Sequence, residues 1–151
     1  MEKLLNHSVR HHGNTTVLRR VFIVLAIAGI LTIAGVSAAA EQNTFTKWIT
    51  TAPTMAGVVG GADGDGIYAG EILKYTPGDT TVIEALYHFN GKKHAFTALV
   101  HVVQTGMKAL ISGVVTEGWS IGHQVKGEYT QITSTQSPNG TAFQGTLDIL
   151  N

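Results

Sequence analysis

Apolar residues in this chain follow two different rhythms. Between Val21 and Ala40 they run unbroken, with no charge and only Thr32 and Ser37 carrying polar side chains. From Glu41 onward helical spacing is weak and period two is common, as expected for strands with one face in a core. Glycine and Asn/Asp turn signals recur every 10 to 14 residues. The pattern predicts eight strands, at 44–51, 55–61, 67–76, 80–89, 94–104, 107–117, 121–133 and 142–150. Asp63-Gly64-Asp65-Gly66, Thr76-Pro77-Gly78-Asp79, Asn90-Gly91 and Ser137-Pro138-Asn139-Gly140 supply the turn chemistry between them. Nothing is left over for a sizeable helix or a second domain in this region.

The strongest local signal is Asn90-Gly91, a dipeptide that accepts positive φ and favours tight hairpins. A hairpin there sets Ile83, Ala85, Tyr87 and Phe89 opposite His94, Phe96, Ala98 and Val100 on one apolar, aromatic face. The other face is mixed: Val82, Glu84, Leu86 and His88 opposite Ala95, Thr97, Leu99 and His101. Gly70, Gly113, Gly127 and Gly145 fall inside strands, where glycine marks a bend or a close approach of backbones. Such positions let a sheet curl shut, and closure removes exposed edges. The expected fold is all-β: a small antiparallel barrel of about eight strands, closed or nearly so, with an open sandwich as the alternative.

Charge divides the chain where the rhythm does. The first twenty residues hold Lys3, Arg10, Arg19 and Arg20 against Glu2, whereas residues 41–151 hold six lysines against nine acids. A basic head, an apolar stretch and the small residues Ser37-Ala38-Ala39-Ala40 have the layout of a secretory signal, with cleavage expected after Ala39 or Ala40. The same twenty residues, at about 1.5 Å each, could instead span a hydrocarbon core as an uncleaved anchor. Arg19-Arg20-Val21-Phe22-Ile23 also resembles the core of a twin-arginine signal. Residues 1–40 are therefore read as a signal peptide or membrane anchor and 41–151 as an exported domain, periplasmic, extracellular or tethered to the outer side of the cytoplasmic membrane. Membrane contact is expected only through the N-terminal helix.

There is no cysteine, so this domain must hold together by packing alone. Its acidic balance and lack of a basic patch argue against a nucleic-acid partner.

Candidate chemistry is sparse. Glu84 and His101 fall on one face of adjacent predicted strands, offset by about one diagonal step, where a carboxylate could hold an imidazole in one tautomer for acid–base catalysis. Tyr87, His88, Trp119 and Tyr129 are the candidate ligand-binding residues, since aromatics with a polar handle suit an amphipathic pocket. His88, His94, His101 and His123 show no metal-ligand spacing, and Asp63-Gly64-Asp65-Gly66 departs from a calcium loop at Ile67 and Lys74. No metal or other cofactor is expected.

Eight short strands in a small exported barrel resemble, in fold style, lipocalin-like barrels and those of allene oxide cyclases and dirigent proteins. Lys47-Trp48 lacks the glycine that lipocalins show two residues before the tryptophan. The resemblance thus implies architecture and no activity. Three expectations follow: a binder of a small apolar or amphipathic ligand or of a partner surface; a small isomerase or cyclase using Glu84 and His101 in the barrel mouth; or a tethered, self-associating envelope protein.

Overall fold

A computed structural model describes residues 40–150. The expected leader or anchor helix lies outside the described residues. The eight strands are β1 (Glu41–Ile49), β2 (Thr54–Gly61), β3 (Gly66–Thr76), β4 (Thr80–Gly91), β5 (Ala95–Thr105), β6 (Lys108–Gly118), β7 (Gln124–Thr133) and β8 (Thr141–Leu150). Each pairs antiparallel with the next, and β8 pairs with β1, so the sheet closes into a barrel.

Alternation decides what fills it. Phe45 and Lys47 of β1, Met55 and Val59 of β2, Tyr68 of β3, Ala85, Tyr87 and Phe89 of β4, and Phe96, Ala98, Val100 and Val102 of β5 are buried. Ala109, Ile111 and Val115 of β6, Val125 and Tyr129 of β7, and Leu147 and Ile149 of β8 complete the interior. The residues between them face the outer wall, which is mixed: Lys74, His101, Lys126 and Glu128 are exposed there, and so are Ile67, Leu99 and Leu110. An eight-stranded barrel has an interior just wide enough for side chains to fill it, or to leave room for one small ligand.

Closure at this size forces backbones together where strands bend most. A Cβ on Gly145 would meet the Glu128 carbonyl oxygen at 1.9 Å and Tyr129 Cα at 2.7 Å. A Cβ on Gly57 would meet the Thr46 carbonyl oxygen at 2.0 Å and Lys47 Cα at 2.9 Å. Both glycines are cross-strand partners of pocket residues, Tyr129 and Lys47 respectively.

The predicted faces of the 80–104 hairpin form as expected, with Tyr87 opposite Ala98 and Phe89 opposite Phe96. Its turn is displaced. β4 runs on through Asn90-Gly91, Asn90 pairs with Ala95, and the chain reverses over Lys92–His94. Gly91 pairs instead with Gly66 of β3, so the dipeptide serves strand packing rather than a two-residue turn. The 121–133 strand starts three residues late, because Gly118, Ser120 and Gly122 all take positive φ and hold a loop before Gln124.

Candidate functional site

The two ends of the barrel are built differently. One end gathers the β2–β3, β4–β5 and β6–β7 loops and the start of β1. Here Lys92 N–H donates to the Asp65 carbonyl at 3.1 Å and Lys93 N–H to the Asp63 carbonyl at 2.8 Å, docking one loop on another. Asp63 is buried, its N–H donates to Asn43 Oδ1 at 3.0 Å, and its Oδ1 lies 3.1 Å from His94 Nδ1. The His94 ring stacks on Trp119 at 3.9 Å between centroids, and Trp119 Nε1 donates to Glu41 Oε2 at 3.2 Å. Below this latch Phe45, Tyr68, Phe89 and Phe96 pack ring against ring, with centroids 4.9 to 6.0 Å apart.

The other end carries a cavity of about 190 Å³. Its floor is Lys47 and Tyr87, both buried, with the buried Tyr129 ring beside them. Its walls are Ile49, Met55, Ile72, Ile83, Ala85 and Phe143. Tyr75, 58 % exposed, and the half-buried Thr81 and Gln104 stand at the rim. A bulge in β3 sets that rim. Ile72 pairs with Ala85 but Lys74 with Glu84 and Tyr75 with Ile83, so one extra residue restores Tyr75 to the inner side.

Lys47 is the unusual group. Its alternation partners in β1, Asn43 and Phe45, are buried and Ile49 is half-buried, so its side chain is committed to the interior. Lysine is almost never fully buried unless paired. Among the described residues no carboxylate lies within ion-pair distance of it. Its partners are the Tyr87 hydroxyl, to which it is hydrogen-bonded, and aromatic faces, with Nζ 4.0 Å from the Tyr87 centroid and 4.6 Å from that of Tyr129.

Two effects compete for the proton on that nitrogen. Ring faces favour the ammonium by about 0.5–2 kcal/mol each. Burial opposes it by several kcal/mol per unpaired ion. Burial wins and holds the Lys47 amine well below its ordinary 10.5. The same burial raises the phenols around it. Tyr87 and Tyr68 lie well above 10, and Tyr129, whose hydroxyl donates to Gln104 Oε1 at 2.9 Å, is pushed up to about 12. The floor therefore presents an amine whose charged form burial disfavours, beside phenols that burial keeps protonated.

No family model, curated protein or solved structure matches the chain. The site must be read from its own geometry.

Of the residues singled out from sequence, Tyr87 and Tyr129 come together in this cavity. His88 and Trp119 do not join them. His88 points to the outer wall, its Nδ1 2.9 Å from Thr97 Oγ1, and Trp119 belongs to the latch at the opposite end. Glu84 and His101 are direct cross-strand partners rather than diagonal ones. They lie mid-strand on the outer wall, not in the mouth, beside Leu99, Ser112 and Val114. Glu84 approaches Lys74 at 3.8 Å, and no hydrogen bond joins it to His101. The latch also brings one ligating atom each of Glu41, Asp63 and His94 within 4.8 Å of one another. His94 and Trp119 already engage the two carboxylates there.

In the sequence Lys47 is one of the six lysines of residues 41–151 and is not singled out as a site residue. The signal that marks it is Phe45 and Ile49 two residues to either side.

Proposed function

We propose that this domain binds one small molecule with an apolar body and a single oxygen-bearing head, taken up through the open end with the head at Lys47 and Tyr87. The observation that carries the reading is the pairing of a mostly apolar cavity with a buried amine that has no carboxylate partner. A cavity of about 150 Å³ lined by apolar side chains holds benzene, so about 190 Å³ suits one ring or a chain of similar bulk. Polar groups at the floor fix orientation, and aliphatic walls supply affinity. The apolar interior, with Lys74, Lys126 and Glu128 exposed among aliphatic residues on the outer wall, departs from the polar lumen and apolar belt of a membrane-spanning barrel, which supports a barrel surrounded by water. With residues 1–40 read as an export signal or anchor, the binder works outside the cytoplasm.

Titration of the full chain with 1-hexanol, followed by calorimetry, tests this. One saturable site is expected, lost in Ile83→Trp, which fills the cavity from its wall. Circular dichroism confirms that the variant keeps its sheet. Equal heats for both proteins, or none for either, would sink the proposal.

A further inference from the structure

We propose that Lys47 captures a small aldehyde or ketone covalently, as an imine, at the floor of the cavity. The inference rests on the binding reading above and names the head group that the floor selects.

The geometry separates a carbonyl from a carboxylate. A carboxylate entering this cavity must shed its water among Ile49, Met55, Ile72 and Ile83. Its only cationic partner would be an ammonium that burial disfavours, since Lys47 has no carboxylate beside it and is shut away from water. A neutral carbonyl compound loses little on entering apolar walls, and it meets a buried amine, hydrogen-bonded to Tyr87, whose lone-pair form burial favours. Desolvation in an apolar pocket is a general means of making a lysine nucleophilic toward carbonyl substrates. An exposed lysine near pH 7 has only about one amine in a few thousand unprotonated.

The step balances without a further reagent. Nζ attacks the carbonyl carbon, a C–N bond forms, and the carbonyl oxygen takes up a proton to give a carbinolamine. The nitrogen then gives up its remaining exchangeable proton, the hydroxyl leaves as water, and a C=N bond stands in place of C=O. The Tyr87 hydroxyl is hydrogen-bonded to Nζ, and burial keeps it protonated. It can therefore lend a proton to the departing oxygen and recover one from nitrogen. The narrow, mostly apolar cavity disfavours return of the water that would reverse the step.

Hexanal differs from 1-hexanol only at the head, so the pair separates covalent capture from plain binding. The full chain is incubated with hexanal at pH 7. One portion is weighed by native mass spectrometry, and another is reduced with borohydride, digested and mapped. The expected result is one adduct of hexanal less one water. After reduction the label should sit on Lys47, at least about tenfold above exposed Lys74, Lys92, Lys93, Lys108 and Lys126. Tyr87→Phe, which keeps the ring, should slow adduct formation about tenfold or more at saturating hexanal. If hexanal displaces 1-hexanol but Lys47 stays unlabelled and no dehydrated adduct appears, the imine is refuted and the pocket survives. If hexanal neither displaces 1-hexanol nor labels Lys47, both readings fall.

Discussion

The same eight strands end in a latch on one side and a cavity on the other. At the latch end a buried carboxylate meets an imidazole, while Asp63 Oδ2 and Asn43 Nδ2 keep no hydrogen-bond partner. Asp63 engages the Asn43 side chain, His94 and the Lys93 amide, while Trp119 ties Glu41 to the stacked His94. At the open end a buried amine is left with a phenol and ring faces. Buried polar groups cost free energy unless they are hydrogen-bonded or paired. The latch offsets part of that cost with the His94–Asp63 and Asp63–Asn43 hydrogen bonds. The cavity retains it, and a retained cost inside a cavity is a reason to look there for ligand chemistry.

Breaking the latch should have the largest effect. Asp63→Ala removes the carboxylate that holds His94 but keeps the backbone N–H that Asn43 accepts from, and it should destabilise the fold by about 2–3 kcal/mol in urea unfolding. Binding of 1-hexanol by the remaining folded protein should persist, because the cavity lies at the opposite end. Loss of binding with unchanged stability would invert the roles assigned to the two ends.

Relieving the open end should do the opposite. Lys47→Met keeps the bulk and removes the ionisable group, and it should stabilise the protein by about 1–2 kcal/mol at pH 7. The sign follows from proton binding. Below the ordinary value of 10.5 the unfolded chain protonates Lys47 while the folded barrel resists until a lower pH. Stability therefore rises with pH between the folded value and about 10.5. The variant should lose that rise, and urea midpoints across this range would read it.

The phenols act in the other direction. Unfolded tyrosines ionise near 10, whereas folded Tyr129 holds its proton to about 12 and Tyr68 and Tyr87 hold theirs well above 10. The contribution of these three residues thus falls as pH climbs from about 10 to about 12. Ultraviolet titration should show phenolate from these three appearing late, and Tyr129→Phe should remove the component near 12.

The smallest effect belongs to the outer wall. Glu84→Gln with His101→Gln should change stability by less than about 0.5 kcal/mol and leave 1-hexanol binding as it was. A turnover that disappears in this double variant while binding survives would restore the enzymatic reading based on the two residues.

Much of this fold was legible in the sequence, because it is written in period-two alternation and in turn residues that act locally. The strand from 80 shows Ala85, Tyr87 and Phe89 on one face, and all three are buried. What escaped was set by contacts distant in sequence. β1 begins at Glu41 rather than at 44 because Glu41, Gln42 and Asn43 pair with Ile149, Asp148 and Leu147 at the far end of the chain. Gly91 is held as a strand residue by Gly66. The site was half legible for related reasons. Tyr87 and Tyr129 stand out as aromatics on inward faces. In β1 the large apolar residues Phe45, Trp48 and Ile49 fall on both faces and blur the parity that places Lys47 inside. Glu84 and His101 do share a face, as their spacing says, but whether that face is the wet one is decided only when the sheet closes.

The account depends above all on the ionisation of one nitrogen at the floor of the cavity. Carbon-13 NMR of the full chain labelled at lysine Cε reads it directly. One lysine signal, absent in Lys47→Met, should titrate well below the rest. If instead every lysine titrates together in the ordinary range, Lys47 is a solvated ammonium, and the cavity as described here does not exist.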